Sequence, residues 1–442
     1  MNEIKINAKV NAEWDKPKDI LMYTPGLEMK FGAIRPSGAL FEGILNHVGA
    51  EKEHLKLKEI LRKKTGANVY DLRDLMISGI FDENNWHMEN LTRFNKLRDF
   101  AENSITHNYE NIDDLNIRKS ELEKLAALDM MSPNELIDVI MLGLNFNISN
   151  SNTMYKPTKN QIMINPVYNM TFSRDQMITT PNGIIIGKMN CEEREREIEI
   201  AKFALENVEA NILTQISGSG RLEGGDYVSG GEIGFLGNGC RTNRDSIEQL
   251  LKDQNKFFAD QILGIVVDPM SDQDHMHLDT YFNVLDKKKV IIDETRFYAT
   301  GDNAPTIEFY LNGNKIGTKK TFREFLEKED YKIAVVSSEI QKNYGINFLT
   351  IDRSKIVGVD FREKKRYYDN IIKVESEIAE KKGLEKSLVT LDGMDYDKLT
   401  KEYFQALNNI GVKTEDITLV NIDNLNRAYG SIHCLTQVLR RD

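Results

Sequence analysis

Asp19-Ile20-Leu21-Met22-Tyr23 is a short apolar run of strand length, stopped at once by Thr24-Pro25-Gly26. Downstream, residues 50–64 repeat apolar side chains at helical spacing, with Leu55, Ile60 and Leu61 on the inner face, and residues 67–72 return to a strand pattern. Strand, helix, strand in that order predicts an α/β fold. The same unit recurs beyond residue 165. Strands are expected at 183–187, 235–237, 262–267, 281–285, 290–292, 333–336 and 418–422, with helices at 192–207, 245–254, 321–327 and 396–407. No repeat is visible by residue identity, yet a recurring unit of strands and a helix is what a structurally repetitive α/β protein would present. Residues 76–150 break the pattern. They are polar and periodic with few glycines, and Ser120-Glu121-Leu122-Glu123 and Ser132-Pro133-Asn134-Glu135 look like helix starts. We expect an all-helical insertion at 76–150 within an α/β catalytic domain made of 1–75 and 151–442.

The 442 residues suffice for a large core, and 40% apolar with 29% charged residues is ordinary for a globular protein. No apolar run is long enough to span a bilayer, and the first residues alternate charge with isoleucine rather than forming a signal peptide. A formal charge of −11 disfavours nucleic-acid and anionic-membrane partners and suits a cationic substrate. The short basic runs at 287–289 and 364–366 are expected to be solvated faces. The three cysteines, at 191, 240 and 434, form neither a metal-type pair nor a disulfide framework, which fits reduced thiols in the cytoplasm.

Cys434 follows Gly430-Ser431-Ile432-His433, a glycine-led turn that can present a thiol beside an imidazole. By itself it reads first as a small core residue. Other polar clusters lie upstream. Glu223-Gly224-Gly225-Asp226 sets two carboxylates about two glycines, whose backbone freedom can aim both side chains. His277-Leu278-Asp279 is expected to open a strand running into Phe282, with His277 and Asp279 on one face, as acid/base work requires. Asn169, Phe172 and Asp175 precede a strand, and Arg194 and Arg241 offer planar forks that suit a carboxylate.

In this order the set resembles the arginine deiminases of the guanidino-group modifying superfamily. The similarity runs from Thr24-Pro25-Gly26-Leu27 through Phe172-Ser173-Arg174-Asp175, Arg194-Glu195-Arg196-Glu197-Ile198, the EGGD turn and His277 to Phe282, ending at His433-Cys434. The resemblance implies a five-fold pseudosymmetric α/β propeller, with hydrolysis of free L-arginine to L-citrulline and ammonia and no cofactor or metal. Cys434 would be the nucleophile and His277 the acid/base supported by Glu223. Asp175 and Asp279 would grip the guanidinium, Arg194, Arg241 and Asn169 the α-carboxylate, and Phe172, Gly224 and Gly225 would pack about the substrate. Tyr429 stands where the family carries an arginine, Leu40-Phe41-Glu42-Gly43 is less acidic than the family segment, and Cys240 precedes Arg241 where an acidic residue is common. These departures bear on substrate choice.

The alternatives are a deiminase or amidinotransferase for another guanidine such as agmatine, and a silent arginine-binding relative; Arg194→Ala is expected to separate arginine from agmatine. A homo-oligomer is expected, with the insertion as scaffold or subunit contact.

Overall fold

In the computed structural model, which describes residues 3–81, 88, 90–153, 156–383 and 394–442, the opening run forms the strand Pro17–Met22. It pairs in parallel with Asn68–Asp71, reached across the helix His47–Thr65, and antiparallel with Gln437–Arg441 at the other end of the chain. Both ends of the sequence therefore meet in one sheet. Four more sheets repeat this strand order, each an antiparallel pair whose second strand also pairs in parallel with a third strand reached across helix. They are Met177–Thr180, Gly183–Ile186 and Ile212–Gln215; Tyr227–Gly230, Ile233–Asn238 and Ile262–Val267; Phe282–Asp286, Lys289–Asp293 and Lys332–Val336; and Leu349–Asp352, Lys355–Val359 and Ile417–Val420. The hairpin Thr306–Leu311 and Asn314–Thr321 extends the sheet that contains Ile262–Val267. The central strands read as apolar runs because both their faces are covered: every residue of Gly183–Ile186 is buried. Among the described residues no helix is long and apolar enough to cross a membrane.

Several expectations change. The insertion is not all-helical. Thr106–Glu110 lies parallel to Leu144–Thr153, which pairs antiparallel with Lys156–Ile164. Thr106–Glu110 turns His107 and Tyr109 inward, where both meet Glu121 of the helix Asp114–Asp129. The strand's exposure alternates, but the inward residues are a half-buried histidine and tyrosine rather than aliphatics, so the sequence shows no apolar alternation to set it apart from polar helix. That helix starts at Asp113, which accepts a hydrogen bond from the Asn116 amide, and Ser120 lies inside it. The other start is where it was expected: Ser132 and Glu135 form a reciprocal capping box. In His47–Thr65 the buried face is Ala50, His54, Leu57, Lys58 and Leu61, and Leu55 points to solvent. Lys364, expected on a solvated face, is buried and donates to the Asn343 side chain.

Candidate active site

Five segments converge on one cavity of about 300 Å³, lined among others by Asn169, Phe172, Asp175, Arg194, Arg241, His277 and Cys434. The segment carrying Cys434 is fixed from several directions. The Cys434 amide donates to Asn347 Oδ1 at 3.2 Å, its carbonyl accepts from the Arg174 amide at 3.1 Å, and the Leu435 amide donates to Ser431. Gly430 is required by space. A Cβ there would sit 2.3 Å from the ring of Phe172, so this residue type lets the loop close over the aromatic wall.

His277 is not in a strand. It caps a single helical turn, Leu278–Tyr281, and the strand begins only at Phe282. The turn is imposed by Asp226, whose Oδ1 accepts from the Leu278 amide at 2.9 Å, and by the Thr280 hydroxyl donating to the His277 carbonyl. His277 and Asp279 therefore do not share a strand face, and each has its own partners. His277 Nε2 meets Glu223 Oε2 at 2.8 Å and its Nδ1 lies 3.9 Å from Asp175 Oδ1. Asp279 Oδ2 lies 2.6 Å from His433 Nδ1 and 4.0 Å from Cys434 Sγ. Arg174, which can only donate, is 2.7 Å from His433 Nε2, so that nitrogen accepts and Nδ1 donates to Asp279.

The two glycines of Glu223-Gly224-Gly225-Asp226 serve close approach rather than unusual backbone angles. A Cβ on Gly224 would lie 1.9 Å from the Arg174 carbonyl oxygen, and one on Gly225 would lie 2.7 Å from His277 Nδ1. Neither lines the cavity, and nor do Glu223 and Asp279, which sit fully buried behind it. The expectation that Gly224 and Gly225 pack on a ligand therefore changes to one of packing on the imidazole and the backbone beneath it.

Arg194 binds two carboxylates at once. Its Nη1 donates to Asp175 Oδ2 at 2.8 Å, and its Nε and Nη2 both engage Glu197. Arg241 carries lighter contacts, Cys191 Sγ at 2.7 Å and Gln273 Oε1 at 3.4 Å. Asn169 donates to the Ala39 carbonyl.

Charge and burial set the protonation states. Burial opposes charge on both His277 and Glu223, but the Asp175 charge and the hydrogen bond between the two make them an imidazolium–carboxylate pair, the histidine raised and the glutamate lowered. Burial, then the charges of Asp279 and Asp175, push the Cys434 thiol well above its usual range. Asp226, desolvated, rises to about 6. Two buried acceptors are left open, Asp175 on the cavity wall and Asp279 directly behind it beside Cys434. Asp175 Oδ1 and Asp279 Oδ1 are buried and have no hydrogen-bond donor. A buried carboxylate oxygen without a donor is costly, so this end of the site is complementary to a small cation with several N–H groups. Asp175, Glu223 and His277 also form the one group, among the described residues, whose ligand atoms approach within 4.8 Å as a metal site would need. Its imidazole nitrogen is occupied by Glu223 and the cation Arg194 is already docked on Asp175, so the donors are committed to each other.

Sequence reasoning passed over three contributors. Asn347 holds the Cys434 amide and donates to the Asp279 carbonyl; its signal was a lone amide between apolar Ile346 and Phe348. Glu197, within the expected helix, anchors Arg194. His433, read only as a neighbour of the thiol, orients Asp279.

A family model described as arginine deiminase matches residues 38–441. Among similar curated proteins, the arginine deiminase of Halobacterium salinarum is 23% identical over 98% of this chain and 96% of its own length. That of Metamycoplasma hominis is 25% identical over 80% of this chain and 87% of its own. A solved structure described as SxtG, an amidinotransferase from Microseira wollei in the saxitoxin biosynthetic pathway, superposes with a TM-score of 0.51 at 13% identity, over 98% of this chain and 97% of that one. At that identity the likeness concerns the fold alone.

Proposed function

The chain belongs to the arginine deiminase family, hydrolases of amidine C–N bonds, and we propose that its cavity converts free L-arginine to L-citrulline and ammonia through a covalent intermediate on Cys434. The observation that carries this reading is the pair of open buried acceptors, Asp175 Oδ1 and Asp279 Oδ1, beside a buried thiol. A guanidinium in the cavity supplies N–H donors to Asp175 on its wall, and its positive charge offsets the two carboxylates that keep the thiol protonated. The thiol loses its proton to solvent as the guanidinium docks, and the thiolate attacks the guanidinium carbon, forming a C–S bond and a tetrahedral adduct. The imidazolium of His277, stabilised by Glu223, gives its proton to the departing nitrogen, and the C–N bond breaks to release ammonia. The neutral imidazole takes a proton from water, the hydroxide adds to the amidino carbon, and the C–S bond breaks to return Cys434 and free the ureido product. Phe172 packs on the aliphatic stem, and Arg241, with Asn169, takes the α-carboxylate.

Arg194 supports a different test from the one expected of it. Because it anchors Asp175, Arg194→Ala would impair any guanidine, whereas Arg241, which makes no ion pair among the described residues, is the better discriminator. Ammonia and ureido product are therefore assayed from arginine and agmatine. Cys434→Ala should abolish both products, Arg241→Ala should raise KM for arginine about tenfold or more and spare any agmatine turnover, and Arg194→Ala should lower all turnover. No ammonia from arginine with the wild-type chain would sink the reading.

The same reading extends to architecture and setting. Five sheets of one strand order, the first joining both chain ends, support a five-fold pseudosymmetric propeller. Three free cysteines support a cytoplasmic location. Exposed Leu115 and Leu122 on one face of the insertion helix Asp114–Asp129 support assembly as a homo-oligomer.

A further inference from the structure

The rim of the cavity carries an arrangement that the chemistry at Cys434 does not use. Three carboxylates line the cavity: Asp175, Glu42 and Asp274. Asp175 is paired with Arg194 at 2.8 Å, and Glu42 faces Arg427 at 3.8 Å. Asp274 has no cationic partner among the described residues. Its Oδ1 instead accepts a hydrogen bond from the Tyr429 hydroxyl at 2.7 Å, and its carbonyl is held by Gln341 Nε2 at 2.7 Å. Tyr429 makes this contact from a left-handed backbone, φ 74°, which a tyrosine rarely adopts. Burial and the Asp274 charge push the phenol up, so it stays a donor. The residue before Asp274 is Gln273, whose Oε1 accepts from Arg241 Nη2 at 3.4 Å. Among the described residues, consecutive positions of the loop leading into His277 thus set a carboxylate with no ion pair next to the contact of a guanidinium with no ion pair.

An α-amino acid presents the complement of that pair, an ammonium and a carboxylate on a single carbon. We propose that Asp274, held in place by Tyr429, receives the substrate's α-ammonium group and makes the site selective for guanidines that carry an α-amino group. The assignment rests on the deiminase reading and on Arg241 as the carboxylate partner. Asp274 touches the substrate; Tyr429 is a positioning residue that acts through it.

The test uses two substrates that differ only in the amino group, L-arginine and 5-guanidinopentanoate, the latter read as a substrate or as a competitive inhibitor. Asp274 is exposed, so Asp274→Asn leaves the fold intact, which a thermal melt verifies. The expected result is a rise in KM for arginine of about tenfold, the size of one charged hydrogen bond partly open to water, with kcat little changed and the affinity for 5-guanidinopentanoate within about twofold. Tyr429→Phe should show the same selectivity with a smaller rise. Equal changes for both compounds, no change for either, or a selective loss that follows Glu42→Gln instead would overturn the assignment. Wild-type chain that releases no ammonia from arginine would remove the deiminase reading and the assignment together, whereas normal turnover with a flat Asp274→Asn pattern removes the assignment alone.

Discussion

At the scale of single residues, the site looks poorly arranged until its ligand's charge is included. A nucleophilic thiol is normally activated by positive charge, yet Cys434 sits 4.0 Å from the buried Asp279 carboxylate and its pKa is pushed up, by burial first and then by Asp279 and Asp175. The same carboxylates that disfavour the thiolate in the empty site are those a guanidinium would neutralise, so ionisation of sulfur becomes coupled to occupancy. Asp279→Asn separates the two effects. Removing the nearest negative charge lowers the thiol pKa, so alkylation of Cys434 at pH 7, followed by mass spectrometry to exclude Cys191 and Cys240, should speed up by about tenfold, one pKa unit's worth of thiolate, while turnover of arginine falls. Slower or unchanged alkylation would show that the Asp279 charge does not hold the thiol protonated.

At the scale of elements, the helix His47–Thr65 and the turn Asp423–Asn426 show how a distant segment steadies the loop that leads to Cys434. Glu53 accepts from the Asn424 amide and side chain and from the Leu425 amide, and burial, against those hydrogen bonds, lifts its carboxyl to about 7. A carboxyl raised in the folded state favours folding below its unfolded pKa, near 4.5, and that contribution is lost as pH climbs through about 7. Glu53→Gln keeps an acceptor and removes the titration. Its melting temperature relative to wild type should therefore rise between pH 4.5 and 7 and level off above; a constant difference would show that the carboxyl ionises normally. These elements also mark what the sequence made legible. The β-strands buried on both faces, such as Gly183–Ile186, announce themselves as unbroken apolar runs, and the Ser132–Glu135 capping box is a local signal with a local cause. The turn at His277 was not legible, because its shape depends on a hydrogen bond from the Leu278 amide to Asp226, 52 positions away in sequence. Motif order pointed to Cys434, His277, Asp175 and Asp279, and folding brings these four together. The support given by Asn347 and Glu197, and the rim pair Asp274 and Tyr429, depends on contacts that only folding creates.

At the scale of the whole molecule, the chain closes on its own reactive end. Arg441, in the last strand, donates to Glu13 and to the carbonyls of Asp15 and Thr350, and Glu13 also faces Arg174, which holds His433 beside Asp279. Charge from both termini thus reaches the residue next to the nucleophile. The insertion is bound into this body: Leu97, Leu136, Ile137 and Ile140 share one apolar core with Ile184, Ile186, Ile198 and Ala201. Deleting residues 76–150 would therefore expose that core and should give insoluble chain, which makes deletion a poor test of assembly. The outer face is the better one, since Leu115 and Leu122 are 77% and 67% exposed and seven positions apart, on one side of their helix. Replacing both with serine removes apolar area that the folded chain itself does not use, so its melting temperature should hold and its activity persist. If this face joins copies, sedimentation velocity should move from the wild-type species to one of about 50.7 kDa. An unchanged sedimentation coefficient in a wild type larger than the monomer would shift the contact to another surface, and a monomeric wild type would remove the need for one.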